Sequence, residues 1–367
     1  MPLLNFLSRK EGPLLNHLSI DIETFSSVDL GKSGLYKYVQ SLDFEILLFA
    51  YSINFGPVRV IDLAQGEIIP DDVVWLLQDP NTIKHAYNAA FEWYCISKFF
   101  YTPLNQWQCT MLHSLYCGYP IGLENVTTAL GLPRDKRKMG IGKALIKTFC
   151  HPCEPKKSNG YRTRTLPHHE PEKWQLFKEY NRQDVIAEMA VLKKLENFPV
   201  PQQEQYYWRL DQAINANGIM IDQQLVDGAI YCNDVITNEL MNEAISISGL
   251  DNPKSVSQLK SYLEKELRDE ISDLTKGTVK DLIKSTDNET VKRMLEIRQE
   301  LSKTSIKKYV AMKVTVCADS RARGLLQFYG ANRTGRWAGR LVQVQNLPRN
   351  NLETLDEARE LTKSKNV

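Results

Sequence analysis

Short apolar runs broken by turn residues fill the first part of the chain, and long stretches of helical spacing fill the rest. His17 to Phe25 is apolar and β-rich, while Phe44 to Ile53 and Val58 to Leu63 predict a hairpin across the turn Asn54-Phe55-Gly56-Pro57. Thr82 to Tyr87 supplies a further strand. Apolar residues recur at helical intervals over Ala89 to Phe100 and Cys109 to Tyr116, and Glu172 to Leu195 predicts a longer helix with Pro171 in its first turn. Strands followed by helices argue for an α/β domain. Pro199, Pro201 and the polar run Gln202-Gln203-Glu204-Gln205 then interrupt the pattern, so a domain over residues 1–200 and a second over 201–367 are expected. From Tyr206 to Val316 the spacing is almost wholly helical, with Ser255 or Ser257 as a helix cap, and Leu352 to Lys363 reads as another helix.

Composition narrows the class. With 43% hydrophobic and 25% charged residues in 367, the chain matches a soluble protein of two ordinary domains. No apolar run approaches membrane-spanning length and Met1 to Lys10 lacks a signal-peptide core, so a cytoplasmic protein with no membrane partner is expected. Seven cysteines at irregular spacings suit reduced thiols better than a disulfide framework. The net charge of +2 says little about partners, but its distribution says more. Ser320 to Leu352 contains Arg321, Arg323, Arg333, Arg336, Arg340 and Arg349 and no acid, which suits a phosphate backbone.

Three segments carry candidate chemistry. Asp21 and Glu23 are two apart in the first strand, so both carboxylates share one face of the pleat. Asn88 is placed to cap the following helix, with Glu92 four residues on and on the same side. Tyr180 and Asp184 are one helical turn apart in the long helix, with Glu179 and Glu188 read as solvated neighbours. Each segment alone has an ordinary explanation as a solvated acid or a first-turn Glu favoured by the helix dipole. Carboxylates gathered together repel one another, and the cluster makes sense chiefly around hard cations that take oxygen ligands.

In this order the segments resemble the three exonuclease motifs of the DEDDy group of the ribonuclease H-like fold, over roughly residues 15 to 198. The resemblance implies that Asp21, Glu23, Glu92 and Asp184 hold two divalent cations, Mg²⁺ or Mn²⁺, that Tyr180 positions the attacking water, and that a single-stranded DNA 3′ end is the substrate. The family usually has Asp where this chain has Glu92, which lengthens the side chain by about one bond.

A second resemblance lies downstream. Thr334-Gly335-Arg336-Trp337-Ala338-Gly339-Arg340 with Gln345-Asn346-Leu347-Pro348 is similar to the T-G-R…Q-N-[IL]-P element of family A DNA polymerases, and Asp211 to Asp222 is similar to the start of their polymerase region. Lys143-Ala144-Leu145-Ile146, Thr165-Leu166-Pro167 and Lys173-Trp174 most resemble phage or prophage members. These likenesses imply thumb-like helices after residue 201 and contacts to primer-template DNA from Asn88, Arg333, Arg336, Arg340, Gln345 and Asn346. The palm aspartates of that family are expected after Pro348 and are not found there, so a truncated or split polymerase is expected, with a separate palm polypeptide as a possible partner. A DNA-binding module with a weakened nuclease is the competing reading.

Two weaker signals complete the picture. Cys150-His151-Pro152-Cys153 with His168-His169 holds zinc-type residues but no second cysteine pair. Gly140-Ile141-Gly142-Lys143 is half a phosphate loop without its hydroxyl, read as a flexible basic loop, with Lys136, Arg137, Lys138, Lys143 and Lys147 available to single-stranded DNA.

Overall fold

The computed structural model describes residues 16–331, 334–347, 349 and 351–367, arranged in two compact units. The first unit runs to Ile219 and takes up Thr315–Gln345 again. Five of its strands, β1 (Asn16–Phe25), β2 (Glu45–Ile53), β3 (Arg59–Asp62), β4 (Thr82–Ala86) and β5 (Trp107–Cys109), form one sheet in the order β3-β2-β1-β4-β5. β1, β2 and β3 are antiparallel neighbours, whereas β4 and β5 join parallel. The helices of this unit are α1 (Leu30–Ser33), α2 (Leu35–Gln40), α3 (Asp71–Gln78), α4 (Ala89–Ser97), α5 (Thr110–Tyr116), α6 (Leu123–Ala129), α7 (Gly142–Phe149), α8 (Pro171–Leu195) and α9 (Gln202–Asn217). This mixed sheet flanked by helices is the α/β, ribonuclease H-like architecture expected from the sequence.

β1 is central and buried, so Leu18, Ile20 and Ile22 enter the main core with Phe49, Ile96 and Trp107. Its other face meets α8, where Phe25 packs with Leu48, Phe149, Trp174, Phe177 and Tyr180. Burying apolar side chains of this size stabilises by about 1.5–3 kcal/mol each, which fixes α8 against β1. α9 belongs to this unit: Trp208 is buried in the main core beside Phe328, which holds the compact unit together beyond residue 200.

The second unit spans Met220–Val314 and Asn346–Val367. It contains α10 (Gln223–Ser248), α11 (Val256–Leu267), α12 (Lys276–Ser285), α13 (Glu289–Leu301), most of α14 (Ile306–Thr315) and α15 (Leu355–Lys363). Ser255 caps α11 by accepting from the Gln258 N–H. Leu259, Leu263, Val279, Val291, Met294 and Leu295 form its core, and Arg293 is bidentate to Glu243 at 2.7 Å on its surface. α10 and α15 approach closely at Gly228, where a Cβ would stand 2.0 Å from the Thr362 carbonyl oxygen. No helix among the described residues is long and apolar enough to cross a membrane.

Candidate metal centre

The pairing of β1 with α8 brings the acids together. Asp21 lies opposite Ala50 and Glu23 opposite Leu48, and the register slips immediately after Glu23. On α8, Tyr180, Asp184 and Glu188 recur at one-turn spacing and are all buried. One carboxylate oxygen from each of Asp21, Glu23 and Asp184 lies within 4.8 Å of the other two. Asn181 clamps the strand to the helix: its amide donates to Asp21 Oδ2 at 2.7 Å and to the Asp21 carbonyl at 3.2 Å.

Glu92 stands in the first turn of α4, 5% exposed, outside the 4.8 Å group yet close enough for its carboxyl to feel the Asp21 charge. Asn88 does occupy the N-cap position, but its side chain makes no capping bond, because the backbone there (φ −116°, ψ 62°) departs from the extended geometry that a capping side chain needs. Glu188 corrects the sequence reading more sharply. It is 2% exposed rather than solvated, and it accepts from Thr110 Oγ1 at 2.5 Å. Its position one turn beyond Asp184 was the signal that could have found it.

Burial first, and then the neighbouring Asp184 charge, pushes the Asp21 carboxyl up to about 8. Burial and the Asp21 charge hold Glu23 and Glu92 well above the usual carboxylate range, and burial raises Asp184 and takes Glu188 to about 7. Among the described residues the cation in contact with the cluster is Lys138, whose ammonium bonds Asp184 Oδ2 and sits 4.7 Å above the centre of the Tyr180 ring. Burial alone would lower the Lys138 pKa, but Asp184 and Asp21 raise it, so it remains charged. Lys138 is therefore engaged with the acids instead of standing free on a basic loop.

Tyr180 is 1% exposed and stacked on Phe177, one helical turn from Asp184 on α8. Burial and the acids raise its phenol far above the ordinary range, so it acts as a protonated donor. Gly142, from the half phosphate loop, lies directly against its ring. Cys150 is buried with Sγ 3.7 Å from Glu23 Oε2, while Cys153 faces the Arg162 carbonyl at 3.2 Å, so the two thiols point to different partners.

The residues fit a divalent cation. Their oxygens are hard donors, the buried acids outnumber the one ammonium, and Glu92 Oε2 and Asp184 Oδ1 are buried without a hydrogen-bond partner among the described residues.

The two downstream motifs also meet, within the first unit. Trp337 Nε1 donates to Asp211 Oδ1 at 2.8 Å, and the Asn215 side-chain amide donates to the Leu326 carbonyl at 3.0 Å and accepts from the Leu326 N–H at 2.9 Å. Arg336 extends from the hairpin of Leu326–Ala331 and Arg336–Gly339, exposed, with Nε 3.1 Å from Thr334 Oγ1. Arg340 is exposed as well, and the Gln345 amide fills the space beside Gly339. Asn346 falls in the second unit, and Arg333 lies outside the described residues. The arginine run is less free than its composition suggests. Arg323 pairs with Asp319 and donates to the Ala216 carbonyl at 2.7 Å, and Arg321 donates to the Asn217 and Gly218 carbonyls, because both arginines tie this segment to the end of α9.

No family model matches the chain. It is 52% identical over 348 residues to the DNA polymerase of Bacillus phage SP02, an alignment covering 94% of this chain and 53% of that protein. The chain thus spans about half the length of the curated relative it matches. Among solved structures it resembles the POL domain of Pol1 from M. smegmatis in complex with DNA primer-template and dNTP, with a TM-score of 0.50 and 15% identity, covering 93% of this chain and 53% of that one. That likeness concerns the fold alone. Identity of one residue in two, sustained along nearly the whole sequence, makes the chain a homologue of that phage DNA polymerase, corresponding to about half of its length.

Proposed function

We propose that the first unit is a 3′ to 5′ exonuclease that removes nucleotides from single-stranded DNA ends. The observation that carries this reading is the convergence of Asp21, Glu23 and Asp184 within 4.8 Å, with Glu92 and Glu188 buried beside them. Asp21, Glu23 and Asp184 would hold divalent cations, Mg²⁺ or Mn²⁺, with Glu92 contributing charge from α4. Bound there, such cations supply a Lewis-acid hold on phosphodiester oxygens and a nucleophilic water at neutral pH.

The chain's own side chains prepare the site. Asn181 fixes the rotamer of Asp21 through its 2.7 Å bond, and Thr110 fixes Glu188. Tyr180 stays protonated, so it orients a water by donating to it and does not accept the water's proton. The apolar wall of Phe25, Phe149 and Phe177 keeps bulk water from one side of the acids and strengthens their interactions.

Arg336 and Arg340, exposed on the hairpin, support a second element of the reading: a grip on the primer terminus of primer-template DNA. The polarity test is direct. With Mg²⁺, a strand labelled at its 5′ end should shorten through a ladder while a 3′ label leaves first as a mononucleotide; release of the 5′ label first would refute the assigned direction.

A further inference from the structure

We propose that Lys138 is a resident counter-cation of the carboxylate cluster, which competes with divalent metal for Asp184 and is displaced when the metal enters. The inference rests on the metal-site reading and adds a regulation of its affinity. Lys138 Nζ takes one oxygen of Asp184, leaves the other buried without a partner, and lies 4.7 Å above the Tyr180 ring. Its charge reaches Asp21, Glu23 and Glu92 as well as Asp184. One ammonium thus stands where several anions need positive charge, and a metal ion bound to the same carboxylate would meet it as a like charge at close range.

The segment is built to let the ammonium go while the backbone stays. Gln183, the residue before Asp184, donates to the carbonyls of Asp135 and Arg137 at 2.8 and 3.0 Å, and Arg137 Nε donates to the Leu132 carbonyl at 2.6 Å. The backbone beside Lys138 is therefore pinned to α8. The side chain beyond it is a flexible four-carbon stem ending in a strongly hydrated point charge, and it is about a quarter exposed. Displacement needs only rotation about the stem. It removes one ion pair and one cation–π contact and returns the ammonium to water, so metal binding is weaker than the carboxylates alone would give. In the absence of metal the same contact relieves the repulsion among the acids.

The test uses the full chain and Mn²⁺ titrated by calorimetry without DNA. Lys138→Met keeps the stem and removes the charge, and should bind Mn²⁺ about tenfold more tightly or better, whereas Lys138→Arg should stay within about threefold of the parent. Equal or weaker Mn²⁺ affinity in Lys138→Met would overturn the proposal. If that variant does not fold, mass-spectrometric mapping of acylation on the parent protein decides: Lys138 should be protected in EDTA and become reactive with Mn²⁺, and unchanged reactivity overturns it. Asp184→Asn separates the two claims, since Mn²⁺ binding at parental affinity there would defeat the metal-site reading itself.

Discussion

The Tyr180 ring lies on the bare Cα of Gly142, so that a Cβ on Gly142 would stand 2.2 Å from Cε2 and 2.8 Å from the phenol oxygen. Tyr180 cannot yield, because it is buried against Phe177 with the Lys138 ammonium over its ring. Gly142→Ala should therefore destabilise the protein by about 1–3 kcal/mol, the usual cost of overpacking, and slow hydrolysis by shifting the phenol. Urea unfolding and single-turnover kinetics check this; parental values in both would show that the contact is loose.

The cluster sets a pH dependence in metal-free protein. Asp21 titrates near 8 and Glu188 near 7 in the fold, against carboxylates near 4 in the unfolded chain, and Glu23 and Glu92 are also raised. The folded state therefore binds more protons across that interval, and its stability falls as pH rises through the folded values. His85, buried and lowered to about 3, acts oppositely, but only below the ordinary histidine range. In EDTA the Tm should accordingly drop between about pH 7 and pH 9. Mg²⁺ should restore more of it at the higher pH. A Tm that climbs over this interval in EDTA would contradict the assignment.

Glu92 should show function opposing stability. Glu92→Gln removes a buried acid held among other acids, so above the pH at which that acid ionises the metal-free protein should melt about 2–4 °C higher, while its Mn²⁺ affinity falls. Melting curves and calorimetry report the two effects separately. A lower Tm with unchanged Mn²⁺ affinity would make Glu92 structural.

Much of this arrangement was legible in the sequence because it depends on local spacing. The two-residue interval of Asp21 and Glu23 and the one-turn interval of Tyr180 and Asp184 project onto single faces of their elements. What was not legible depends on tertiary packing. The one-turn spacing from Asp184 puts Glu188 on the site face, but nothing local announces that Thr110, on α5, approaches and buries it. Lys138 looked like one cation of a basic loop because its partner lies 46 residues away. Arg321 and Arg323 looked free because the backbone carbonyls they bond at the end of α9 lie more than 100 positions upstream. The break marked by Pro199 and Pro201 likewise gave no sign that Trp208 enters the core with Phe328.

The arginines can be told apart by experiment. Arg323→Ala leaves the Ala216 carbonyl without its donor, so it should cost on the order of 1–2 kcal/mol of stability and change affinity for primer-template DNA little. Arg336→Ala should do the reverse, weakening duplex binding with stability intact. Fluorescence anisotropy and thermal melts on the pair decide, and a large loss of DNA affinity in Arg323→Ala would restore it to the DNA-facing group.

The most direct test of the central claim follows a 5′-labelled single strand incubated with Mg²⁺, with EDTA, and with the Asp184→Asn variant. The account predicts a ladder shortening from the 3′ end in Mg²⁺, its arrest by EDTA, and a loss of about a hundredfold or more in rate for Asp184→Asn. Cleavage that persists in EDTA, or an Asp184→Asn variant that degrades the strand at the parental rate, would contradict it.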